Sequence, residues 1–434
     1  MVQPLDATPG AGRMTRVRWF ILALIFFGTT TNYLDRMVMG ILAPDLQRLY
    51  HITDSQYGNI QSAFAFAYAC GQLISGGILD RIGIRMGYAM ALTAWSIVSM
   101  LHAVARGPVG FGVVRALLGL SESPAFPGAT KALAEWFPKH ERALAFGFIN
   151  AGTNMGAILA PALVPWLAST YGWQWAFIGT ALAGFVCLGL WMQFYRKPSD
   201  HRLVSALELA HINSDPPDPP VKVRWLTLFT YRQAWAFAVA KFLTDSMWWF
   251  YMMWFPKFLY KQHKLDLLHI GMPLIIIYLM SDAGSIAGGW LSSSLLKRGA
   301  TVNRARKTAL VVCALAVTPV IFAQSISSLT LSVLVLGLAT AAHQGFSTNL
   351  FTIVSDMFPR QMVASVAGLG GMCGYFGASL FQILVGHVVE KQNNYLIPFV
   401  CAGLAYLIAF GLIHLLAPRL EPALIKSKSA NSTV

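Results

Sequence analysis

Runs of apolar residues alternate with short polar breaks along almost the whole chain. The runs cover residues 19–41, 57–78, 88–105, 109–134, 143–167, 174–195, 235–260, 270–296, 308–325, 329–355, 362–386 and 394–417. Each approaches or exceeds the ~20 residues a helix needs to cross the hydrocarbon core of a bilayer. The pattern predicts an all-α integral membrane protein of 12 transmembrane helices. The longest polar stretch, 196–233, falls in the middle and contains Asp215-Pro-Pro-Asp-Pro-Pro220. Such a run cannot be helical and reads as a stiff connector. Six spans precede it and six follow, which divides the chain into a bundle over 1–195, a cytoplasmic linker over 196–233 and a bundle over 234–434. Two pseudo-symmetric six-helix bundles are the plan of a transporter with its site at mid-membrane.

Composition agrees with that pattern. Of the 434 residues 56% are hydrophobic and only 12% charged, where a soluble domain carries roughly 25% charged residues. Lipid accepts apolar side chains directly, so little charge is required. The net charge of +14 raises the question of nucleic acid. The basic residues, however, sit in clusters between the apolar runs, mostly in segments that are cytoplasmic if the N-terminus is cytoplasmic. The positive-inside rule then puts both termini in the cytoplasm and leaves no nucleic-acid surface to explain. Arg13, Arg16 and Arg18 precede the first run without a small-residue cleavage site, the mark of an uncleaved start. Cys70, Cys187, Cys313, Cys373 and Cys401 lie far apart within apolar runs and read as small buried hydrophobes. There is no Ser/His/Asp constellation, no Cys/His ligand spacing and no extramembrane segment longer than the linker, so the chain is expected to be neither an enzyme nor a metalloprotein.

Between the second and third runs the chain reads Gly76-Gly-Ile-Leu-Asp80-Arg81-Ile-Gly83-Ile-Arg85. This resembles the cytoplasmic loop signature of the major facilitator superfamily. Asp80 can cap a helix end or pair with a base, and Gly83 allows a tight turn. Asp80, Arg81, Gly83 and Arg85 are therefore the expected gating residues. The corresponding stretch of the second half, from Gly288 to Lys297-Arg298, keeps the glycine and the basic end but lacks the acid. Asn32-Tyr33-Leu-Asp35-Arg36, and Arg115-Ala-Leu-Leu-Gly119-Leu-Ser-Glu122 running on to Glu135-Trp-Phe-Pro138, resemble the anion:cation symporter family within that superfamily. Lys241-Phe-Leu-Thr-Asp245, Ala342-His343-Gln344 and Ser355-Asp356-Met-Phe-Pro359 are similar to its bacterial hexuronate carriers. The resemblance implies the major facilitator fold, a monomer in the bacterial inner membrane, and uptake of a small organic anion with protons, without a cofactor beyond the coupling proton.

Charges inside the spans support an anion site on their own account, since each costs at least ~2.5 kcal/mol to insert and needs a reason. Arg36 can hold a carboxylate through two parallel hydrogen bonds, and Lys241 adds a positive point charge. In the fold the resemblance implies, these two first spans face each other across a central cavity. Tyr33, nearly on the face of Arg36, offers a hydroxyl. Against this stands the reading that Arg36 and Lys241 only neutralise acids such as Asp35 and Asp245. Resemblance to the sugar-acid carriers adds Tyr68, Thr348 and Asn349 as partners for sugar hydroxyls. A sugar ring can rest on Trp248 or Trp249. By the same resemblance, Thr153 and Gly371 stand where galactonate carriers have polar residues, which weakens a galactonate reading. Lys241, a cation where the hexuronate carrier also has one, favours a uronate such as glucuronate or galacturonate, with an aldonate or tartrate as the alternatives.

Coupling needs an acid whose cationic partner is taken away during the cycle. The family resemblance assigns that role to Asp35 and Glu122, with Arg115 as a modulating partner. Glu122 and Arg115 share one face of their helix, nearly two turns apart, without touching. His343 is expected to be a packing residue and Asp245 to orient Lys241. Asp282 and Lys131 are read as gate or interhelical charges, and Gly152 with Gly156 as a helix-packing pair. An exchanger of organic anions on the same fold is the rival mechanism.

Overall fold

The computed structural model describes residues 14–214, 225–358 and 360–421, and among them there is no strand. The helices are α1 Val17–Ile41, α2 Ala43–Tyr50, α3 Asp54–Ile82, α4 Ile84–Leu101, α5 Gly107–Glu122, α6 Ala125–Trp136, α7 Lys139–Tyr171 and α8 Trp173–Phe194. They continue as α9 Ala206–Ile212, α10 Trp225–Leu228, α11 Arg232–His263, α12 Gly271–Lys297, α13 Val302–Val317, α14 Leu329–Met357, α15 Arg360–Gln392 and α16 Leu396–Leu416. Arg13, the connector Asp215–Pro220 and Pro359 lie outside the described residues.

Ten of these helices, among the described residues, are long and apolar enough to cross a membrane. The two remaining expected spans depart for different reasons. The fourth, 109–134, is two helices, because Pro124 has no N–H to give the Leu120 carbonyl one turn back. The Ser123 hydroxyl donates to that carbonyl instead, at 2.8 Å, so the break leaves it satisfied. The seventh, α11, is a single helix of 32 residues. Its Lys241, Asp245 and Lys257, with four tryptophans, make it less apolar than the others.

Contacts between Cα atoms divide the chain into two compact units, Met1–Leu42 with Cys70–Pro220, and Ala43–Ala69 with Val221–Val434. Helix α3 therefore belongs to the second unit in its first half and to the first unit in its second half. In the first unit α1 packs on α7 at Gly152 and Gly156, where a Cβ on Gly156 would stand 2.8 Å from the Tyr33 Cβ. Small residues at this spacing let two membrane helices approach closely. Threonines in α1 answer the same solvent problem differently. Thr29 and Thr30 each donate to the Phe26 carbonyl at 2.9 Å, which hides their hydroxyls inside the helix.

Outside the spans the linker is not plain coil. Ser205 caps α9, and Glu208, wholly buried, reaches the start of α1. Its carboxylate accepts from the Thr15 hydroxyl at 2.6 Å, the Val17 N–H at 3.0 Å and the Arg18 N–H at 3.1 Å. Arg18 also bridges Glu208 and Glu141 at 3.2 and 3.0 Å. Burial pushes the Glu208 carboxyl upward, yet the bonds from Thr15, Arg18 and Val17 outweigh it and hold the group below its ordinary range.

Candidate functional site

In the first unit the candidate residues meet where α1 passes α5. Successive side chains on a helix point ~100° apart, so Asp35 and Arg36 serve different neighbours. The Arg36 Nε donates to Glu122 Oε2 at 2.6 Å, and both side chains are buried. The Arg36 guanidinium also lies over the Tyr33 ring, 4.8 Å from its centroid. Arg115 holds the backbone of the same turn, donating from Nη2 to the Arg36 carbonyl at 3.4 Å. Asp35, also buried, has no hydrogen-bond partner on either carboxylate oxygen among the described residues. The groups that act on it are the Thr180 and Ser99 hydroxyls and the charges of Glu122 and Arg115. Arg36 thus neutralises an acid, but that acid is Glu122 on another helix rather than its neighbour Asp35.

The second unit holds a comparable pair. Lys241 Nζ donates to Asp245 Oδ1 one turn along α11 at 2.7 Å and lies 4.7 Å from the centre of the Phe351 ring. Two turns after Lys241, Trp249 enters an aromatic cluster. Its ring meets Tyr375 at 5.5 Å and Phe64 at 5.4 Å. Tyr68 stacks on Tyr375, centroids 4.1 Å apart and planes 24° apart. The structure thus brings Tyr68 and Trp249 together through Phe64 and Tyr375, which sequence reasoning did not single out. Nothing distinguishes those two among the 27 Phe and 14 Tyr of the chain.

Thr348 and Asn349 differ in what they leave available. The Thr348 hydroxyl is part-buried, 3.0 Å from the Ser285 hydroxyl, and donates to the Gln344 carbonyl at 2.9 Å. Asn349 is wholly buried, and its amide nitrogen donates to the Gly288 and Gly345 carbonyls, both at 2.9 Å. It stitches α14 to α12. His343 stacks on Trp248 at 4.8 Å and bonds the Tyr406 hydroxyl through Nδ1 at 2.7 Å, the surroundings of a packing residue.

The loop signature is likewise engaged. Asp80 pairs with Lys131 of α6, whose Nζ also donates to the Gly76 carbonyl at 3.0 Å. Gly83 has φ of 84°, a left-handed backbone that glycine adopts without strain. Arg85 donates to the Met192 carbonyl at 2.7 Å, at the end of α8, and Arg81 is exposed.

The model of the Major Facilitator Superfamily matches residues 25–382 of the chain. A hexuronate transporter of Escherichia coli K12 is 33% identical over 382 residues, covering 86% of this chain and 88% of the relative. A D-galactonate transporter of Escherichia coli O6:H1 is 28% identical, over 89% of this chain and 92% of the relative. Among solved structures, a bacterial homolog to the human lysosomal transporter Spinster, inward-facing and occupied, is similar in fold. That comparison has a TM-score of 0.73 at 17% identity and covers 94% of this chain and 98% of the other.

Proposed function

The chain belongs to the Major Facilitator Superfamily, and from that membership we propose that it is a proton-coupled symporter importing a sugar acid, a hexuronate such as glucuronate or galacturonate. It is a multi-pass membrane transporter. We place it in the bacterial inner membrane with both termini cytoplasmic, working as a monomer by alternating access. The observation that carries the reading is the buried Arg36–Glu122 pair. A substrate carboxylate that takes Arg36 must displace Glu122. A carboxylate stripped of its cation in a low-dielectric interior is relieved by a proton, so anion binding and protonation are tied. Asp35, buried beside the Thr180 and Ser99 hydroxyls and the Glu122 charge, is the second acid that a proton would relieve. Lys241 supplies a further positive charge for the anion, and Tyr33, Tyr68, Trp249 and Thr348 supply hydroxyls and ring faces.

Uptake of radiolabelled glucuronate into proteoliposomes under an inward proton gradient tests this. Glu122→Gln is expected to abolish net uptake while leaving counterflow, because exchange needs no net proton transfer. A Glu122→Gln chain with both activities intact would make the protein an exchanger. The D-galactonate relative keeps an aldonate as the second substrate reading, and unlabelled galactonate competing better than glucuronate would establish it.

A further inference from the structure

The Lys241–Asp245 pair has a built seat. Asp245 lies against Gly374 of α15, where a Cβ would collide with its carboxylate. At Gly370, one turn earlier, a Cβ would stand 3.1 Å from Cγ of Lys241. A Cβ at Gly370 would first meet the Phe237 ring and then the Lys241 stem, while any side chain at Gly374 would crowd Asp245 itself, so α15 leaves room for the Asp245 carboxylate. Among the described residues, the other titratable groups that interact with the pair are a phenol and an imidazole. Tyr406 of α16 feels the Asp245 charge, and His343 of α14 feels that of Lys241. Tyr406 is hydrogen-bonded to His343 at 2.7 Å. Helix α2 meets α11 at Tyr260, on the order of four turns from Asp245, where Arg48 lies 5.6 Å from the ring.

We propose that Asp245 is a second proton acceptor, coupled to substrate binding through Lys241. The inference rests on the proposed reading of the chain as a sugar-acid carrier. A pair of opposite buried charges is neutral as a whole. When a substrate carboxylate draws the Lys241 ammonium to itself, the site holds one cation and two carboxylates. That excess negative charge is costly where water is scarce. An O–H bond forming on Asp245, with the proton taken from water, restores neutrality. Among the described residues no basic side chain beside Asp245 other than Lys241 could do so instead, since His343 is stacked and hydrogen-bonded where it lies. The second unit then repeats the charge arithmetic of Arg36 and Glu122, and each unit contributes to the proton count.

Proton uptake on ligand binding tests this with the purified full-length chain in detergent, weakly buffered, followed with a pH-indicator dye. Glucuronate, galactonate and galactarate serve as ligands. A chain carrying Asp35→Asn and Glu122→Gln is expected still to take up a proton per bound anion. Adding Asp245→Asn, an isosteric change that fits the Gly374 seat, is expected to remove that proton while the anion still binds. An unchanged proton count in the triple variant overturns the inference and leaves the sugar-acid reading intact. If none of the three acids binds the unaltered chain, the sugar-acid reading falls and this inference falls with it. Should the triple variant not fold, the Asp35→Asn/Glu122→Gln chain suffices. Its affinity is expected to rise up to about tenfold per unit fall in pH by linkage, and a pH-independent affinity overturns the proposal.

Discussion

Asn349 and Arg36 show how differently a polar side chain can be used within one membrane protein. Both N–H bonds of the Asn349 amide go to backbone carbonyls of α12 and α14, which joins those two helices. Asn349→Ala is expected to cost about 1–3 kcal/mol of stability, the range for a buried hydrogen-bonding group left without its partner. Thermal unfolding in detergent should show this as a lower midpoint, with glucuronate affinity unchanged in the surviving protein. A loss of affinity at an unchanged midpoint would make Asn349 a ligand after all. Arg36 is bound instead to the Glu122 carboxylate, which in the proposed mechanism another anion replaces. The sequence alone exposed Arg36, Asp35, Glu122, Arg115 and Lys241, because a charge within an apolar run is conspicuous. Their partners were less legible. Arg36 and Glu122 lie 86 residues apart, and only the packing of α1 on its neighbours joins them. Asp245 could be read as the partner of Lys241 because one helical turn separates them.

At the scale of elements, cations in the first two turns of helices recur in both units as fasteners of other helices' ends. Arg85 opens α4 and donates to a carbonyl near the end of α8, while Lys307 in α13 donates to the Ala417 carbonyl just beyond α16 at 2.9 Å. A positive charge there meets both the unpaired carbonyls and the negative end of the helix dipole. Glu208 performs the opposite task for α1, offering negative charge to free N–H groups of the first turn. The spacing Ser205-x-x-Glu208 is visible in the sequence as a capping signature, which implies that Glu208 folds back on its own helix. It binds another helix instead, which local spacing cannot reveal. The break at Pro124 was hidden differently, because apolar residues continue on both sides of it within 109–134. Glu208→Gln should lower stability at neutral pH by about 1–3 kcal/mol, since bonds to a charged group are lost. Because the folded carboxyl lies below its ordinary range, its contribution is complete above roughly pH 4.3, the unfolded value. The contribution is lost as the pH falls through the folded value. The difference between wild type and variant, measured by thermal unfolding across pH, should therefore close in acid. A difference that persists there would assign the effect to packing rather than charge.

For the whole molecule, the central linker suggests a division into six spans and six, whereas contacts between Cα atoms group α2 and the first half of α3 with the second unit. Its contacts with α11 and α15 form a continuous seam. Asp54 pairs with Lys257, the Ser55 N–H donates to Glu390 at 2.7 Å, and the Tyr57 hydroxyl donates to the Met253 carbonyl at 2.9 Å. Ser62 and Ser379 share a hydrogen bond at 2.7 Å, and Tyr68 on Tyr375 ends the series. No periodicity in α3 announces this, because its partners come from helices roughly two hundred and three hundred residues later in the chain. Under the alternating access proposed above, this seam within the second unit would have to open, and its strength would then set how much of the population holds this arrangement. Removing one charge of the Asp54–Lys257 pair weakens the seam without touching Arg36, Glu122 or Lys241. A loss of about 1.4 kcal/mol shifts a two-state equilibrium roughly tenfold. The reporter is Ser62→Cys in a chain with its five native cysteines replaced, reacted with an impermeant maleimide added from outside. In this structure Ser62 is 6% exposed, so its labelling requires the seam to open. Asp54→Asn is expected to speed labelling about tenfold, and the exchange Asp54→Lys with Lys257→Asp to bring it back. Equal labelling in all three chains would mean that the seam holds α3 in place throughout the cycle and that access is controlled elsewhere in the molecule.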